Sequence, residues 1–287
     1  MQVYLPAKGF LHVIRFLSLN TIQYQRKGER KMIKTFKVTS KILNQKRNIS
    51  VYIPDNHKGP FKVIYMHDGQ NLFFKEASSY GEIWDAHTQY ERFTKAGLIE
   101  PHIIVGIDNT KYRMDEYAPF DNSTIYKTYS DEFRVPVFGQ EYARFIVEEL
   151  KPWIDIRFKT KKDKEDTYIM GSSLGGLISL YCGLKYPNIF GGIGCLSTSA
   201  SWNPAGLDNL LDTLKPDIHQ KYFITVGSNE SGKNDHKANR DYTNVSKKIY
   251  KHIKPLVNSI FYKVYEGGIH NETLWASQLS EFVQFMR

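Results

Sequence analysis

One short turn constrains the fold of this chain more than any other feature. Residues 171–176 read GSSLGG and directly follow the mainly apolar run 167–170. Their last three residues begin the segment 174–184, which has the composition of a buried helix. A strand that turns into a helix this quickly tolerates little or no side chain two positions before and two positions after its central residue, and glycine occupies both positions. The pattern therefore predicts a strand, a tight turn and a helix, with Ser173 at the turn.

Alternating strands and helices are predicted on both sides of this turn. Residues 34–39 and 48–53 are short, partly alternating runs that predict a β-hairpin with its turn at 44–46. Further strands are predicted at 61–66, 102–107, 190–196, 221–226 and 260–265, and further helices at 138–153, 239–253 and 273–286. Several of these strands are almost continuously apolar, which is typical of strands buried on both faces. We therefore expect one α/β domain over residues 32–287, with a mostly parallel central sheet and helices on both faces.

The first 31 residues differ from the rest of the chain. Their apolar stretch, residues 10–19, contains His12 and Arg15, is too short to span a bilayer and lacks the small-residue cleavage site of a signal peptide. The run 27–31 (KGERK) before Met32 is what a translated purine-rich ribosome-binding site would encode. We expect residues 1–31 to be a disordered or non-native extension.

Composition excludes several classes of function. The formal net charge is +9, but more than half of the excess lies in residues 1–31, and elsewhere acidic residues interleave with the lysines. No nucleic-acid-binding module accompanies the charge, and no membrane anchor is evident, so we expect neither a nucleic-acid nor a membrane partner.

Cys182 and Cys195 lie in apolar or glycine-rich surroundings, which favours buried free thiols over a disulfide or a metal pair. This indicates a reducing compartment, and we expect a cytoplasmic protein.

The GxSxG pattern also indicates nucleophilic chemistry at Ser173. A serine held at a helix N-terminus places its hydroxyl beside the helix dipole and beside the amide of Leu174, both of which stabilise a developing oxyanion. Ser172 is the neighbouring candidate, but only Ser173 occupies the middle of the pattern. The alternative interpretation is an ordinary strand-to-helix turn.

A serine hydroxyl needs a base, and the base needs an acid to orient it. His270 follows the last predicted strand within the sequence GGIH, and it is the histidine placed where the fold requires the base. The acid is expected after the strand 221–226, where Glu230 is the first candidate and Asp235 the reserve. A structural histidine and an ordinary loop carboxylate are the corresponding non-catalytic interpretations.

Two long irregular segments, residues 71–80 and 109–131, are expected to surround a substrate pocket, since loops of this length inside a compact domain are usually functional. The loop 67–71 (HDGQN) follows an early central strand, and its backbone amides at Gly69 and Gln70 are candidates for the second half of an oxyanion hole. His67 at the start of this loop suits a structural hydrogen bond. We assign substrate binding to Asp68, Tyr117 and Trp275.

With these residues identified, the chain resembles the putative-esterase family of α/β-hydrolases, which includes esterase D, feruloyl esterases, enterobactin-type siderophore esterases and mycolyltransferases. The resemblance covers residues 51–285 and rests on HDGQNLF at 67–73, DEYAP at 115–119, GSSLGG at 171–176, GSNE at 227–230 and HNE at 270–272 with Trp275. It implies an α/β-hydrolase fold and hydrolysis of carboxylic esters without a metal or an organic cofactor. Ser173, Glu230 and His270 match the triad of the family, and Leu174 with Gly69 and Gln70 matches its oxyanion hole. Many relatives use aspartate as the acid, so Glu230 departs from the commonest pattern.

The expected activity is a serine esterase that works through an acyl-enzyme on a small-molecule ester. The aromatic residues of the central loop fit a hydroxycinnamoyl (feruloyl) acyl group, and they fit loop anchoring equally well; they are Tyr112, Tyr117, Phe120, Tyr126, Tyr129 and Phe133. Short acyl esters, a siderophore ester and acyl transfer to a second alcohol remain as alternatives. A non-catalytic binding protein on a hydrolase scaffold is disfavoured by the retained serine, histidine and carboxylate. Neither the physiological ester nor the oligomeric state can be read from the sequence.

Overall fold

A twisted sheet of eight strands organises the described part of the chain. The structure is a computed structural model and describes residues 32–79, 81–125 and 135–287; the predicted extension at residues 1–31 lies outside the described residues. The strands are β1 (Ile33–Ser40), β2 (Gln45–Tyr52), β3 (Lys62–His67), β4 (His102–Ile107), β5 (Thr167–Ser172), β6 (Gly192–Leu196), β7 (Lys221–Gly227) and β8 (Ser259–Tyr265). Their order across the sheet is β1-β2-β4-β3-β5-β6-β7-β8.

The first two strands form the predicted hairpin at one edge of the sheet. β1 pairs antiparallel with β2, from Ile33 opposite Tyr52 to Ser40 opposite Gln45, and β2 pairs antiparallel with β4. Asn44 in the connecting turn has a positive φ of 49°, a conformation that asparagine tolerates better than most residues. From β4 to β8 all neighbouring strands are parallel, so the predicted mostly parallel sheet is confirmed.

Alternate residues of the central strands enter two different hydrophobic clusters. On β3, Val63 and Tyr65 pack into one cluster, whereas Ile64 and Met66 pack into the other. This two-sided burial explains why the strand reads as an uninterrupted apolar run.

Helices cover both faces of the sheet. They are α1 (Ala86–Lys95), α2 (Arg113–Glu116), α3 (Gly139–Arg144), α4 (Lys151–Phe158), α5 (Leu174–Lys185), α6 (Pro204–Thr213), α7 (His236–Ile253), α8 (Glu272–Ser277) and α9 (Leu279–Met286). A π-helical turn, Phe145–Leu150, joins α3 to α4. Buried residues of α3 to α7 belong to one hydrophobic cluster, and those of α1, α8 and α9 belong to the other. None of the described helices combines the length and apolarity that are needed to cross a bilayer.

The structure differs from the predicted elements in several places. The polar helix α1 was not predicted because it buries only Ala86 and Tyr90. Helix α6 was also missed, although Pro204 at its start and the Asn203 side chain, which accepts a hydrogen bond from the Gly206 amide, are standard helix-start signals. The predicted closing helix is interrupted at Gln278, whose buried side chain accepts a hydrogen bond from Thr225 on β7.

The carboxyl ends of the parallel strands meet along one edge of the sheet. The residues that immediately follow β3, β5 and β6 at this edge are Asp68, Ser173 and Ser197, and all three have positive φ angles. Such angles are uncommon for residues other than glycine, and in folded proteins they cluster at functional sites.

Candidate active site

Ser173 lies at a strained turn between β5 and α5. Its backbone has φ 59° and ψ −125°, far from any helical or extended conformation. A Cβ atom on Gly171 would lie 2.8 Å from the backbone of Gly175, and one on Gly176 would lie 2.9 Å from Thr198 Oγ1. These close approaches explain the glycines of the GSSLGG pattern. The turn has the geometry that presents a serine at the top of an α/β-hydrolase sheet.

The amide of Leu174 is available for an anion. Helix α5 begins at Leu174, and its first hydrogen bonds run from the Gly176 and Leu177 amides to the Ser173 carbonyl. The amides of Leu174 and Gly175 precede these bonds, so they belong to the orphan donors of the first turn. This is the arrangement that stabilises negative charge at a helix N-terminus.

His270 and Glu230 form a hydrogen-bonded pair across two loops. His270 Nδ1 lies 2.6 Å from Glu230 Oε2, and the Glu230 side chain is fully buried while that of His270 remains 24% exposed. The backbones are also joined, because the His270 amide donates to the Glu230 carbonyl. An imidazole that donates through Nδ1 presents Nε2 as the acceptor for a proton.

The second carboxylate oxygen of Glu230 is held by two donors. The Gly227 amide and the Ser197 hydroxyl donate to Glu230 Oε1 at 2.5 and 2.6 Å, and Trp275 Nε1 donates to Ser197 Oγ at 2.9 Å. Ser197 was not predicted from the sequence. Its only sequence signal is a polar residue directly after an apolar strand, at the edge where the carboxyl ends of the parallel strands meet.

Asp235, the reserve candidate for the acid, has a different place. Its side chain accepts a hydrogen bond from the Ala238 amide at 2.9 Å and caps the N-terminus of α7. Among the described residues, the structure therefore brings Glu230 to His270 and leaves Asp235 in a helix-capping position.

Aromatic rings enclose the imidazole of His270. Trp275 meets it edge-on at a centroid distance of 4.9 Å, and Tyr242 lies at 4.8 Å. Trp275 in turn stacks against Trp84 at 6.0 Å. These contacts restrict the rotation of the imidazole and give the cavity an aromatic wall.

The loop after β3 carries the second candidate group of oxyanion donors. Asp68 adopts a left-handed conformation and caps the 3-10 turn Gly69–Asn71, whose first internal hydrogen bond runs from the Asn71 amide to the Asp68 carbonyl. The amides of Gly69 and Gln70 precede that bond and are the orphan donors of the turn. A Cβ atom on Gly69 would lie 2.6 Å from the backbone of β4, so the loop requires glycine there.

Asp68 is held by three donors from the segment after β4. Arg113 Nε and Nη2 donate to its two carboxylate oxygens, each at 2.7 Å, and Asn109 Nδ2 donates at 2.6 Å. Burial alone would raise the pKa of the Asp68 carboxyl, but Arg113 and Asn109 outweigh it and lower that pKa. Asp68 is therefore ionised, and its oxygens already have partners within the protein.

Tyr117 lies behind this loop. Its side chain is completely buried, and its hydroxyl accepts a hydrogen bond from the Asp68 amide at 3.1 Å. His67 Nδ1 is 2.9 Å from the hydroxyl of Tyr142, and burial lowers the pKa of His67 to about 3, so this imidazole is neutral. The expected structural hydrogen bond of His67 is confirmed, whereas Tyr117 supports the loop from a position outside the cavity wall.

A buried ion pair holds the segment after β4, which carries Asn109 and Arg113. Arg47 on β2 makes a bidentate contact with Glu116, at 2.6 and 2.8 Å, and both side chains are almost completely inaccessible to solvent. Thr110 also donates to Glu116, and Arg47 donates to the Asp108 carbonyl. The loop of the predicted pocket is thus anchored by charge as well as by aromatic packing.

Ser173 and His270 face one cavity of about 440 Å³. The described residues that line it are Asp68, Asn71, Glu82, Trp84, Asn109, Arg113, Ser172, Ser173, His270, Asn271, Glu272 and Trp275. No hydrogen bond joins Ser173 to His270 within the described structure; such bonds are often long before substrate binds. Of the aromatic loop residues, Tyr126, Tyr129 and Phe133 lie outside the described residues.

The part of the chain that the structure describes contains no group of three histidine, cysteine, aspartate or glutamate residues arranged to hold a metal ion. Both cysteines are buried and unpaired, as expected, and burial raises the pKa of each thiol. Neither thiol is placed to act as a nucleophile.

The strand order and the tight turn between β5 and α5 are those of an α/β-hydrolase fold. Residues 40–286 match the model of the Esterase family, described as "Putative esterase". The chain belongs to this family, a class of carboxylic ester hydrolases.

The relatives span several sizes. The uncharacterized protein YbbA of Bacillus subtilis is 24% identical over 246 residues, covering 84% of this chain and 92% of YbbA. The enterobactin esterase of Shigella flexneri superimposes with a TM-score of 0.68 at 18% identity, covering 88% of this chain, which spans 59% of that protein. The BES protein of Bacillus cereus gives the same TM-score at 23% identity, covering 92% of this chain and 98% of BES. These solved structures share the fold.

Proposed function

We propose that the protein hydrolyses a small carboxylic ester through an acyl-enzyme on Ser173, with His270 as general base and Glu230 as the acid that orients it. The observation that carries this proposal is the short contact between His270 Nδ1 and the buried side chain of Glu230, together with a cavity that both His270 and the strained Ser173 line. This combination supports the assignment of a nucleophile, a base and an orienting acid, as in a serine hydrolase.

In the first half of the reaction, His270 Nε2 takes the proton from Ser173 Oγ while that oxygen attacks the ester carbonyl. The negative charge of the tetrahedral intermediate is placed toward the amides of Leu174 and of the Gly69–Gln70 turn. The alcohol leaves with the proton from His270, and the acyl group remains on Ser173. Water then attacks the acyl-enzyme, gives its proton to His270, and releases the acid.

The cavity supports an uncharged ester with an aromatic acyl group. Trp84 and Trp275 provide a flat apolar wall beside His270. Among the described lining residues, Arg113 is paired with Asp68, so the carboxyl groups of Glu82 and Glu272 remain as excess negative charge, and the lining disfavours a strongly anionic ligand. A hydroxycinnamoyl or short acyl ester therefore fits better than a ferric siderophore.

A siderophore ester is the second candidate, because the fold superimposes on an enterobactin esterase over 88% of this chain. A metal-free catecholate ester would avoid most of the charge repulsion from the cavity lining.

The two buried, unpaired cysteines fit a reducing compartment such as the cytoplasm, where disulfides are rare.

The test is hydrolysis of p-nitrophenyl acetate, p-nitrophenyl butyrate, methyl ferulate and a metal-free catecholate siderophore ester by wild type, Ser173→Ala and Ser172→Ala. We expect Ser173→Ala to lower every measurable rate by about 10⁴-fold or more, with folding intact. We expect Ser172→Ala to retain most of the activity. Substantial turnover by Ser173→Ala would refute the proposed mechanism, and the preferred ester among the four assigns the substrate class.

A further inference from the structure

Ser197 occupies an unusual position next to the proposed triad. It follows β6 directly, its side chain is completely buried, and its φ is +45°. A serine gains nothing from this backbone conformation, which favours glycine, so the strain must be offset by what the side chain contacts.

The contacts of the Ser197 hydroxyl are directional. Glu230 accepts only, so the hydroxyl hydrogen points to Glu230 Oε1 at 2.6 Å. Trp275 donates only, so its Nε1–H occupies a lone pair of the same hydroxyl at 2.9 Å. Ser197 thus has one orientation, and it connects the acid to the aromatic wall of the cavity.

This orientation matters because the acid is a glutamate. Glutamate has one more rotatable side-chain bond than aspartate, so a single hydrogen bond leaves its carboxylate free to turn away from the histidine. Two donors on Oε1, the Gly227 amide and Ser197, fix the carboxylate plane and leave Oε2 for His270 Nδ1.

We propose that Ser197 is a positioning residue for the reaction, which aligns Glu230 for His270 and links that alignment to Trp275. This inference rests on the proposed function. Trp275 packs edge-on against His270 while its Nε1–H holds Ser197, so one tryptophan fixes both ends of the acid–base pair. A ligand that moves Trp275 would therefore change the alignment of the base as well as the shape of the pocket.

The test compares Ser197→Ala and Ser197→Gly in the wild-type and Glu230→Ala backgrounds, with p-nitrophenyl acetate as substrate. Both variants remove the hydroxyl, but glycine also relieves the strain at positive φ, so Ser197→Gly should fold even if Ser197→Ala does not. We expect kcat to fall about tenfold in both variants with KM unchanged, as for the loss of a hydrogen bond to a charged group. In the Glu230→Ala background the same changes should alter kcat by less than about twofold, because Ser197 acts through Glu230.

Ser246→Ala is the matched control, since Ser246 is a fully buried serine on α7 whose hydroxyl has no hydrogen-bond partner in the described structure. It should leave kcat unchanged. An unchanged kcat in Ser197→Gly, or an equal loss with and without Glu230, would overturn the positioning role. Ser173→Ala in the same assay separates this outcome from failure of the proposed function, because retained activity in Ser173→Ala would refute the proposed function whatever Ser197 does.

Discussion

The two sides of the cavity are held together in different ways. On one side, Ser173, Glu230 and His270 follow β5, β7 and β8, and backbone amides, a hydroxyl and short loops position them. On the other side, the Asp68 loop is held by ion pairs and polar contacts from the segment after β4.

This difference between the two sides predicts which substitutions change the reaction rate and which change the stability of the fold. On the side of the cavity with the proposed triad, the strand ends supply rigid hydrogen-bond donors close to Glu230, so few additional contacts are needed. The loop side has little regular structure, and buried charges are its main supports; each becomes costly when its partner is lost. We therefore expect substitutions in the proposed triad to affect the rate with little effect on folding. Substitutions on the loop side should affect the stability of the fold or the position of the Asp68 loop.

The largest effect is expected for Glu230→Ala. It should lower kcat by about 10⁴-fold, as the loss of an orienting acid does in serine hydrolases, with an unfolding midpoint near that of wild type. Steady-state kinetics with p-nitrophenyl acetate and thermal unfolding measure the two quantities. Asp235→Ala is the control: it removes a helix cap worth about 1 kcal/mol and should leave kcat almost unchanged. If instead Glu230→Ala left kcat almost unchanged and Asp235→Ala lowered it, Asp235 would be the acid.

The next largest effect is expected for the buried ion pair. Glu116→Gln leaves Arg47 charged and buried, so the free energy of unfolding should fall by about 3–5 kcal/mol. Replacing both residues with apolar ones, as in Arg47→Met with Glu116→Leu, should recover a large part of this loss. Urea unfolding measures both variants. A larger loss in the double variant than in Glu116→Gln would mean that the pair itself stabilises the fold.

Arg113→Met should have an intermediate effect, on activity. It removes two of the three donors that hold Asp68, so the Asp68 loop loses its fixed position. If the amides of this loop stabilise the oxyanion as proposed, kcat should fall about thirtyfold, less than for deletion of an oxyanion donor outright. Arg144→Met is the matched control, because Arg144 makes a similar two-point contact with Glu148 on the exposed surface. Equal activity of the two variants would mean that Arg113 does not position the Asp68 loop for the reaction.

The effect of Asp108→Asn, beside the same loop, should be confined to part of the pH range. Burial raises the pKa of Asp108 from 3.8 to about 6. The native carboxyl therefore keeps a proton that the unfolded chain releases near pH 3.8, and stability falls as the pH rises through this window. Asp108→Asn should be more stable than wild type by up to about 3 kcal/mol above pH 6, with no gain below pH 3.8. Urea unfolding between pH 4 and 8 measures this difference, and a constant difference across that range would contradict the assignment.

The contrast also explains how much could be predicted from the sequence. The strand–turn–helix unit at Ser173 and the buried parallel strands are local patterns, so the confirmed fold class followed from residues close together in the chain. The proximity of Glu230 to His270 was anticipated because strand order places their loops at one edge.

Pairing between distant segments was not predictable in the same way. Arg47 and Glu116 lie 69 residues apart, and Arg113 and Asp68 lie 45 apart. Nothing in either local sequence specifies the partner. The placement of Tyr117 behind the loop, where it accepts from the Asp68 amide, depends on the same tertiary packing. The roles of Ser173, His270, Glu230, Leu174, Gly69 and Gln70 in catalysis stay predictions.

The most direct test of the central claim is covalent labelling with a fluorophosphonate, followed by mass spectrometry of the digested protein. We expect Ser173 Oγ to displace fluoride and form a bond to phosphorus, so that the label appears on Ser173 and disappears in His270→Ala. A label on Ser172 instead, or no label on a folded and esterase-active protein, would contradict Ser173 as the nucleophile.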